Sequence, residues 1–582
     1  MNNIPYIPED APFSADQRAW LNGFLAGLFS NAPQASVPAS PSAKVAVYFA
    51  SQSGTAERLA KKFAKELKAG GHQASVTSLS EISPTDLSQQ SHAVIFASTY
   101  GDGEPPDHAK AFREVLFDKH FPSLKKLRYA VFGLGDRNYE QFCQFGIELD
   151  ERLAELGAMR IIPRVESDVD VDELFAGWKD TCLAQIATPQ TSPGAGPAPL
   201  QTSVATQQPV HTREHPFQAK LIERRALTSN VSSKLTMHLG LRLNEELVYE
   251  AGDACGVLAQ NDPAPVDEIL SCLPFDGSTA VEVPKAGTCT VRDALLKHYQ
   301  HSRLSRKIVQ AFAEKSRSKT LTALLPQEQA THLDAYMYDR GLIDLLHEYP
   351  GTIQTPDELL ALLPRLAPRL YSISSSPAKH DGELHCTIAV VKYRSHNRER
   401  GGVASTMLAE RVALGDAVPI YIQPNKRFRL PADGNTPIIM IGPGTGVAPF
   451  RSFLHERQAL GHTGHNWLFF GERSAKTDFL YCHELQDMHD SGHLTRLDTA
   501  FSRDQSHKVY VQDRMLEQGA TFWDWLQGDA RIYVCGDASR MAKDVDAALH
   551  SLIEKHGRMS TASAREYVSQ LHEDGRYHRD VY

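Results

Sequence analysis

At two distant points of the chain a short, largely apolar run breaks into a loop of small residues and then into a helix-like segment. Lys44 to Ala50 (KVAVYFA) leads into Ser51-Gln52-Ser53-Gly54-Thr55-Ala56, and Glu57 to Leu67 then carries apolar residues at helical spacing. Ile438 to Ile441 (IIMI) leads into Gly442-Pro443-Gly444-Thr445-Gly446-Val447-Ala448-Pro449. A β-branched run without polar alternation suits a parallel strand covered on both faces, and parallel strands require crossover helices. The chain is therefore expected to hold α/β units. At each loop, free backbone N–H groups and hydroxyls converge at a helix start, where the helix dipole favours an anion. The first loop has no Lys or Arg before Arg58, so hydrogen bonds rather than counter-charges would hold a phosphate there.

Composition limits what surrounds these units. The 582 residues suggest about four domains. Sixty-one Lys+Arg against 70 Asp+Glu give a net charge of −9, which leaves no electrostatic footprint for nucleic acid. Eight cysteines without a C-x-x-C pair give no support to a zinc ribbon, a local iron–sulfur site or a disulfide framework, and point to a reducing cytoplasm. No basic segment precedes an apolar run at the amino terminus, and the stretch Trp20 to Phe29 is about half of what spans a bilayer. Two stretches read as linkers: 31–43, rich in Pro, Ala and Ser, and 186–210, without a single charge. The expected divisions are an amino-terminal helix and linker (1–43), a block at 44–185, a tether to 213, a block at 214–435, and a last block at 436–582.

Within the first block, Ala93 to Ala97 (AVIFA) runs into Ser98-Thr99-Tyr100-Gly101, and Ala130 to Phe132 runs into Gly133-Leu134-Gly135-Asp136-Arg137-Asn138-Tyr139. In a doubly wound sheet, loops at the carboxyl ends of the strands meet in one crevice. Tyr100 and Tyr139 could then stack on the two faces of a flat ring while glycines let the backbone reach its edge. This block resembles a flavodoxin-type FMN domain. The resemblance implies phosphate contacts from Ser51 to Ala56, and ring contacts from Ser98, Thr99, Tyr100 and Gly101. It implies further ring contacts from Leu134, Gly135, Asp136, Arg137, Asn138, Tyr139, Glu140, Gln141, Phe142 and Cys143.

In the second block, Arg369-Leu370-Tyr371-Ser372 offers a guanidinium to a pyrophosphate, a tyrosine to shield a ring and a serine to hydrogen-bond near its reactive nitrogen. Strand alternation puts Arg369 and Tyr371 on one face. Leu384 to Tyr393 alternates as a barrel strand, and Gly402-Val403-Ala404-Ser405 opens a helix with a second set of phosphate-facing amides. The third block adds apolar strands at Trp467 to Gly471, Leu494 to Ala500 and Arg531 to Cys535, which makes a nucleotide-binding sheet with Gly444 and Thr445 in its glycine loop. Ser502, Arg503, Lys508, Tyr510 and Gln512 form a cationic, hydroxyl-bearing cluster that suits a 2′-phosphate, hence NADPH rather than NADH. The terminal Tyr582 could cover a flavin face, and Cys535 could lie beside a transferred hydride.

The second and third blocks resemble the ferredoxin–NADP reductase module, and with the first block the chain resembles the diflavin reductases over nearly its whole length. The segments that carry this are RLYSISSS, IGPGTGVAPFRSF, SRDQSHKVYVQD, YVCGDASRMAKDV and RYHRDVY. The implied architecture is multidomain α/β and α+β. A flavodoxin-like FMN domain precedes a β-barrel FAD domain with a helical insert at about 262–365, and a doubly wound NADPH domain follows. The implied cofactors are FMN, FAD and NADPH, with no metal. FAD contacts carry over to Arg369, Leu370, Tyr371, Ser372, Thr387, Ile388, Ala389, Tyr393, Gly402, Val403, Ala404, Ser405 and Tyr582. NADPH contacts carry over to Ser502, Arg503, Lys508, Val509, Tyr510, Val511, Gln512 and Asp544. Assistance to hydride transfer falls to Ser372, Cys535 and Asp580. Within the family the similarity is greatest to the sulfite-reducing branch. That implies an NADPH-dependent oxidoreductase of sulfur assimilation working with a separate sirohaem iron–sulfur haemoprotein, and self-association through Asp16 to Ser30. The alternative is a reductase serving a monooxygenase or another haem acceptor. A flavodoxin-like interaction module without turnover is the third reading.

Overall fold

The computed structural model describes residues 43–187 and 211–581, apart from 52–53, 100–102, 107–108, 136–140, 168–170, 214, 245–246, 285 and 539. The expected amino-terminal helix at 16–30 lies outside the described residues, as does most of the expected tether.

The first unit is a parallel sheet. Strands β1 (Lys44–Ala50), β2 (Gln73–Ser78), β3 (His92–Ser98), β4 (Arg128–Leu134) and β5 (Met159–Arg160) lie in the order β2-β1-β3-β4-β5, and β6 (Val165–Ser167) also pairs with β4. Strand β1 pairs in parallel with β2 on one side and β3 on the other, so the winding direction switches there and a crevice opens above the two strands. Both faces are covered, which explains the unbroken apolar run. Val45, Val47 and Phe49 pack with the helix Thr55–Ala69, while Ala46, Tyr48 and Ala50 pack on the opposite face with Phe112 and Leu149. Phe96 is central to an aromatic cluster, its ring 5.9 Å from Phe63, 5.8 Å from Phe132 and 5.7 Å from Trp178. The helix Val171–Ala187 carries Phe175 and Trp178 into that cluster, and its last turn includes Ile186, which is buried.

The second unit is antiparallel. Strands β7 (Phe217–Ala226), β8 (Leu235–Arg242) and β9 (Ala254–Val257) precede an insert of helices between Pro263 and Leu362. Those helices close around a core of their own that includes Val266, Leu295, Phe312 and Leu345. The insert also contains a hairpin, β10 (Ala280–Val283) and β11 (Gly287–Thr290), which its helical patterning does not announce. Then follow β12 (Arg369–Ser372), β13 (Glu383–Val390), the hairpin β14 (Lys392–Ser395) and β15 (Arg398–Gly401), and β16 (Ala417–Gln423). The sheet runs β12-β9-β16-β7-β8-β13. Its two edges meet through a bridge between Ile373 and Cys386 and through the Ser374 N–H donating to the His385 carbonyl at 2.8 Å, so the six strands curl back on themselves. The strand expected across 384–393 stops at Val390. Val391 leaves the ladder because its carbonyl accepts the Gly402 N–H and its own N–H donates to Ser405 Oγ.

The third unit is a parallel sheet of β17 (Ile438–Ile441), β18 (Asn466–Glu472), β19 (Arg496–Phe501), β20 (Arg531–Gly536) and β21 (Tyr577–Val581), ordered β19-β18-β17-β20-β21. Again the winding reverses at the first strand, here β17, beside the glycine loop.

A buried polar seam joins the second and third units. Arg451, on the helix Ala448–Ala459, donates to both Glu484 carboxylate oxygens at 2.7 and 3.0 Å and to the Ser374 carbonyl at 2.7 Å. Ser452 Oγ donates to the Ser375 carbonyl at 2.6 Å, and Tyr249 shares a 2.7 Å hydrogen bond with Ser375 Oγ. Burial alone would raise the Glu484 carboxyl, but the His455 hydrogen bond and the Arg451 charge hold it well below the usual range. Beside this seam the His380 ring lies 4.5 Å from His385 and 4.9 Å from His455. Burial, with those neighbours and Arg451, lowers His380 to about 4.

Two outcomes follow. Phe96→Ala is expected to cost about 3–5 kcal/mol, read as a lower urea midpoint for the transition reporting Trp178, with the transition of the Trp467 core unmoved. His380 folds neutral with a pKa below its unfolded value, so the folded state binds fewer protons than the unfolded one as pH falls through 6.5. Its stability contribution is complete above pH 6.5 and declines towards pH 4. Thermal unfolding of the 211–581 part should therefore lose stability over that window, and His380→Gln should flatten the loss.

Candidate active site and cofactor crevices

The crevice above β1 and β3 is lined by three loops, each built on tight packing. Ser51 is buried at the end of β1, and its Oγ accepts the Ala56 N–H at 3.1 Å, fixing the start of the helix Thr55–Ala69. Gly54 sits at φ +85°, a left-handed conformation that lets the chain turn from strand to helix. After β3, Ser98 is followed by Thr99. The Thr99 N–H donates to the Leu134 carbonyl at 2.7 Å and its Oγ1 accepts the Phe145 N–H at 3.1 Å, tying the second loop to the third. Gly135 lies so close to Cys143 that a Cβ would approach the Cys143 nitrogen to 2.7 Å, and a Cβ on Gly103 would meet Gln141 at 2.6 Å. Ser51, Thr55 and Thr99 bring hydroxyls to the sheet's carboxyl edge at the start of a helix, a set that fits a hydrogen-bonded phosphate ester. Gln52, Ser53, Tyr100, Gly101, Asp136, Arg137, Asn138, Tyr139 and Glu140 lie outside the described residues.

On the barrel, β12 pairs with β9 so that Arg369 opposes Val257 and Tyr371 opposes Cys255. Tyr371 is packed against the barrel core and burial raises its phenol, whereas Leu370 on the other face is exposed. Arg369 Nη1 is 3.4 Å from its own neighbours' carbonyls at Ala367 and Pro368. Thr387 hydrogen-bonds Tyr481 at 2.7 Å and Ile388 is buried in the barrel, which leaves Ala389 as the exposed residue of that run. Tyr393 is exposed on β14. Gly402 precedes the short helix Val403–Thr406, with Ala404 and Ser405 buried beneath it. Exposed Leu370 and Tyr393, with the helix start at Val403, border a surface that fits a flat ring and a pyrophosphate.

On the third unit the glycine loop is pressed against β20. A Cβ on Gly446 would lie 2.1 Å from the Cys535 carbonyl oxygen, and Gly444 adopts φ +59° just before Thr445. At the end of β19 the Ser502 N–H donates to the Glu472 carbonyl and the Arg503 N–H to the Arg473 carbonyl. Arg503, Lys508 and Tyr510 are exposed, while Val509 and Val511 are buried and anchor the segment. Gln512 Nε2 reaches Asp544 Oδ2 at 3.4 Å across the crevice. Exposed cations beside hydroxyls fit a 2′-phosphate. One cation escaped the sequence reading. Lys234 reaches from the barrel into an ion pair with Glu472, and burial, with Arg473 and Arg503 nearby, lowers it to about 8.

The units meet at one carboxyl group. Asp580 on β21 stands in register with Cys535 on β20, and β12 of the barrel abuts both. Ser372 Oγ donates to Asp580 Oδ2 at 2.9 Å and Cys535 Sγ lies 3.9 Å from the same oxygen. Asn425 Nδ2 donates to Oδ1 at 3.2 Å. Burial raises the Asp580 carboxyl, and the Ser372 and Cys535 hydrogen bonds oppose that rise. Burial first and the Asp580 charge second push the Cys535 thiol well up, so it stays an S–H donor. Sequence reasoning named Ser372, Cys535 and Asp580, and the fold brings all three together; it missed Asn425. Tyr582 lies outside the described residues.

Comparison with known proteins agrees with this division. The family model described as Flavodoxin matches residues 47–178, that described as FAD binding domain matches 208–407, and that described as Oxidoreductase NAD-binding domain matches 440–547. A sulfite reductase (NADPH) flavoprotein alpha-component from Bacillus subtilis (strain 168) is 41% identical over 100% of this chain and 99% of its own length. Its counterpart from Serratia proteamaculans (strain 568) is 41% identical over 100% and 98%. One from Vibrio cholerae serotype O1 is 41% identical over 98% and 94%. Three crevices, three domain matches and full-length similarity together give an FMN-, FAD- and NADPH-dependent oxidoreductase, and the chain belongs to the family of sulfite reductase (NADPH) flavoprotein alpha-components.

Proposed function

We propose that this reductase draws electron pairs from NADPH at the Ser372–Cys535–Asp580 centre and delivers single electrons from the flavodoxin-like unit to a sirohaem iron–sulfur haemoprotein that reduces sulfite to sulfide. The observation that carries the reading is the meeting of a barrel serine with a thiol and a carboxylate from the nucleotide sheet, at 2.9 and 3.9 Å. When bound, FAD supplies the two-electron acceptor and FMN the one-electron donor, which resolves the mismatch between a hydride and a haem.

The protein's own residues handle orientation and charge. Ser372 keeps its proton on Oγ, shared with Asp580, and so presents a hydroxyl at the barrel surface. Asp580 places a negative charge where a nicotinamide ring would become positive, and its confinement strengthens that interaction. Cys535 fills the space beside it with a small, uncharged group and excludes water. Arg503, Lys508 and Ser502 hold the adenosine end through its 2′-phosphate, with Tyr510, Gln512 and Asp544 around them. Arg369 and the Gly402–Ser405 turn would hold the FAD pyrophosphate, with Tyr371, Tyr393 and, on the sequence resemblance, Tyr582 serving its ring. The uncharged composition of residues 188–210 supports a tether that lets the FMN unit serve two partners in turn. The word "component" in the relatives' names supports a separate haemoprotein, and the segment 16–30 is proposed for self-association. Among the described residues no helix is long and apolar enough to cross a membrane; with the cysteine usage this supports a cytoplasmic setting.

Arg503→Ala is expected to weaken NADPH binding about tenfold or more while hardly changing NADH, because a charge-assisted hydrogen bond contributes about 1.5–3 kcal/mol; equal losses for both nucleotides would refute the 2′-phosphate pocket. Asp580→Asn should slow FAD reduction in single-turnover stopped flow by about 10²-fold with NADPH affinity retained. Co-purification of the wild-type chain with a sirohaem protein, against a monooxygenase haem, tests the acceptor.

A further inference from the structure

We propose that Asn425 is the positioning residue of the hydride-transfer centre, its side-chain amide fixing the Asp580 carboxylate that Ser372 and Cys535 face. The inference rests on the reading of Asp580 given above and deepens it. Asn425 belongs to neither sheet. It lies on the loop that follows β16 and leads from the barrel to the nucleotide unit. That loop is held from both sides. On the barrel side, Asp253 Oδ1 accepts the Asn425 N–H at 2.9 Å and also pairs with Arg429, while Oδ2 accepts the Glu250 N–H at 2.9 Å. On the nucleotide side, Tyr533 Oη donates to the Arg429 carbonyl at 2.7 Å and His578 Nδ1 lies 2.8 Å from the Arg427 carbonyl.

The same aspartate anchors the serine strand. The Ile373 N–H, next to Ser372, donates to the Asp253 carbonyl at 3.1 Å. Ser372 and Asn425 are therefore set by one buried residue, and both reach Asp580, which arrives on a strand of the other unit. Asn425 takes Oδ1 at 3.2 Å and leaves Oδ2 to Ser372 at 2.9 Å. The polarity of the amide is determined by its partner, since a carboxylate accepts and only Nδ2 donates. Three uncharged donors, an N–H, an O–H and an S–H, surround the carboxylate. Arg429, farther along the loop, is paired with both Asp253 and Glu250. Burial raises this carboxyl, the Ser372 and Cys535 hydrogen bonds oppose that rise, and the Asn425 amide adds a third donor on the other oxygen.

The test is single-turnover reduction of FAD by NADPH in the intact holoenzyme, followed from pH 5 to 9. Removing a donor to the carboxylate should favour its protonated form. Asn425→Leu and Asn425→Asp are expected to slow the step about tenfold at neutral pH and to move its acidic limb upward by about one pH unit, more in the Asp variant, where a second negative charge is added. NADPH affinity should stay within about twofold, and Asn425→Gln, which keeps an N–H donor, should recover most of the rate and the limb. Asn425→Asp is isosteric, so it carries the test if the Leu variant fails to retain FAD. A limb unmoved in the Asp variant, while Asp580→Asn abolishes that limb, overturns the role of Asn425 and leaves that of Asp580 standing. An Asp580→Asn enzyme with wild-type rate and limb overturns both.

Discussion

The buried pairing of Arg451 with Glu484 is the contact on which the geometry of this enzyme depends. It sits between the barrel and the nucleotide sheet, with the guanidinium also bound to the Ser374 carbonyl and its plane 4.8 Å from the Tyr481 ring. Removing one member of such a pair leaves an uncompensated charge at a cost of about 3–5 kcal/mol, so the arrangement resists shear in a way an apolar contact would not. Because Ser374 follows Ser372 by two residues, the pairing also anchors the chain just beyond Ser372. Hydride transfer requires reacting groups held to within fractions of an ångström. A polar seam with fixed hydrogen-bond directions provides that, where a greasy interface would slide.

Much of this was legible in the residue order, for a physical reason. Strands covered on both faces must be apolar throughout, so β1, β3, β17 and β20 announce themselves, and the loops after them are short, small and hydroxylated because phosphates need amides. The cluster proposed for a 2′-phosphate stood out because Ser502 to Gln512 span only eleven residues. Illegible residues share a different property: their partners are remote. Asn425 and Asp580 are 155 positions apart, and Lys234 and Glu472 are 238 apart. Neither lies in a periodic pattern. The serines after Ser372 read as more of the same motif, yet Ser374, Ser375 and Ser376 are fully buried and their groups are used to join two units. The hairpin at 280–290 was hidden because its alternating residues are flanked by helices that dominate any longer window.

The three units divide a task that none could perform alone. The nucleotide sheet binds an electron pair in a form that water tolerates, the barrel receives it at a centre confined by protein, and the flavodoxin-like unit passes it on singly. The first unit offers hydroxyls at its crevice, whereas the third offers the exposed cations Arg503 and Lys508.

The helical insert separates β9 from β12, although those strands are hydrogen-bonded neighbours. A disordered connection of that size would impose an entropic penalty on closing the barrel, growing with the logarithm of its length. The insert has its own apolar core around Phe312 and Leu345, and the Gln300 N–H donates to the Pro364 carbonyl at its base. Residues 296–300 take hydrogen bonds from Asn261, after β9, and from Leu366, before β12, so a collapsed insert brings both ends to one place and leaves the search of a short loop. An insert that collapses on its own core thereby lowers the entropic cost of closing the barrel, although it contributes no strand to it.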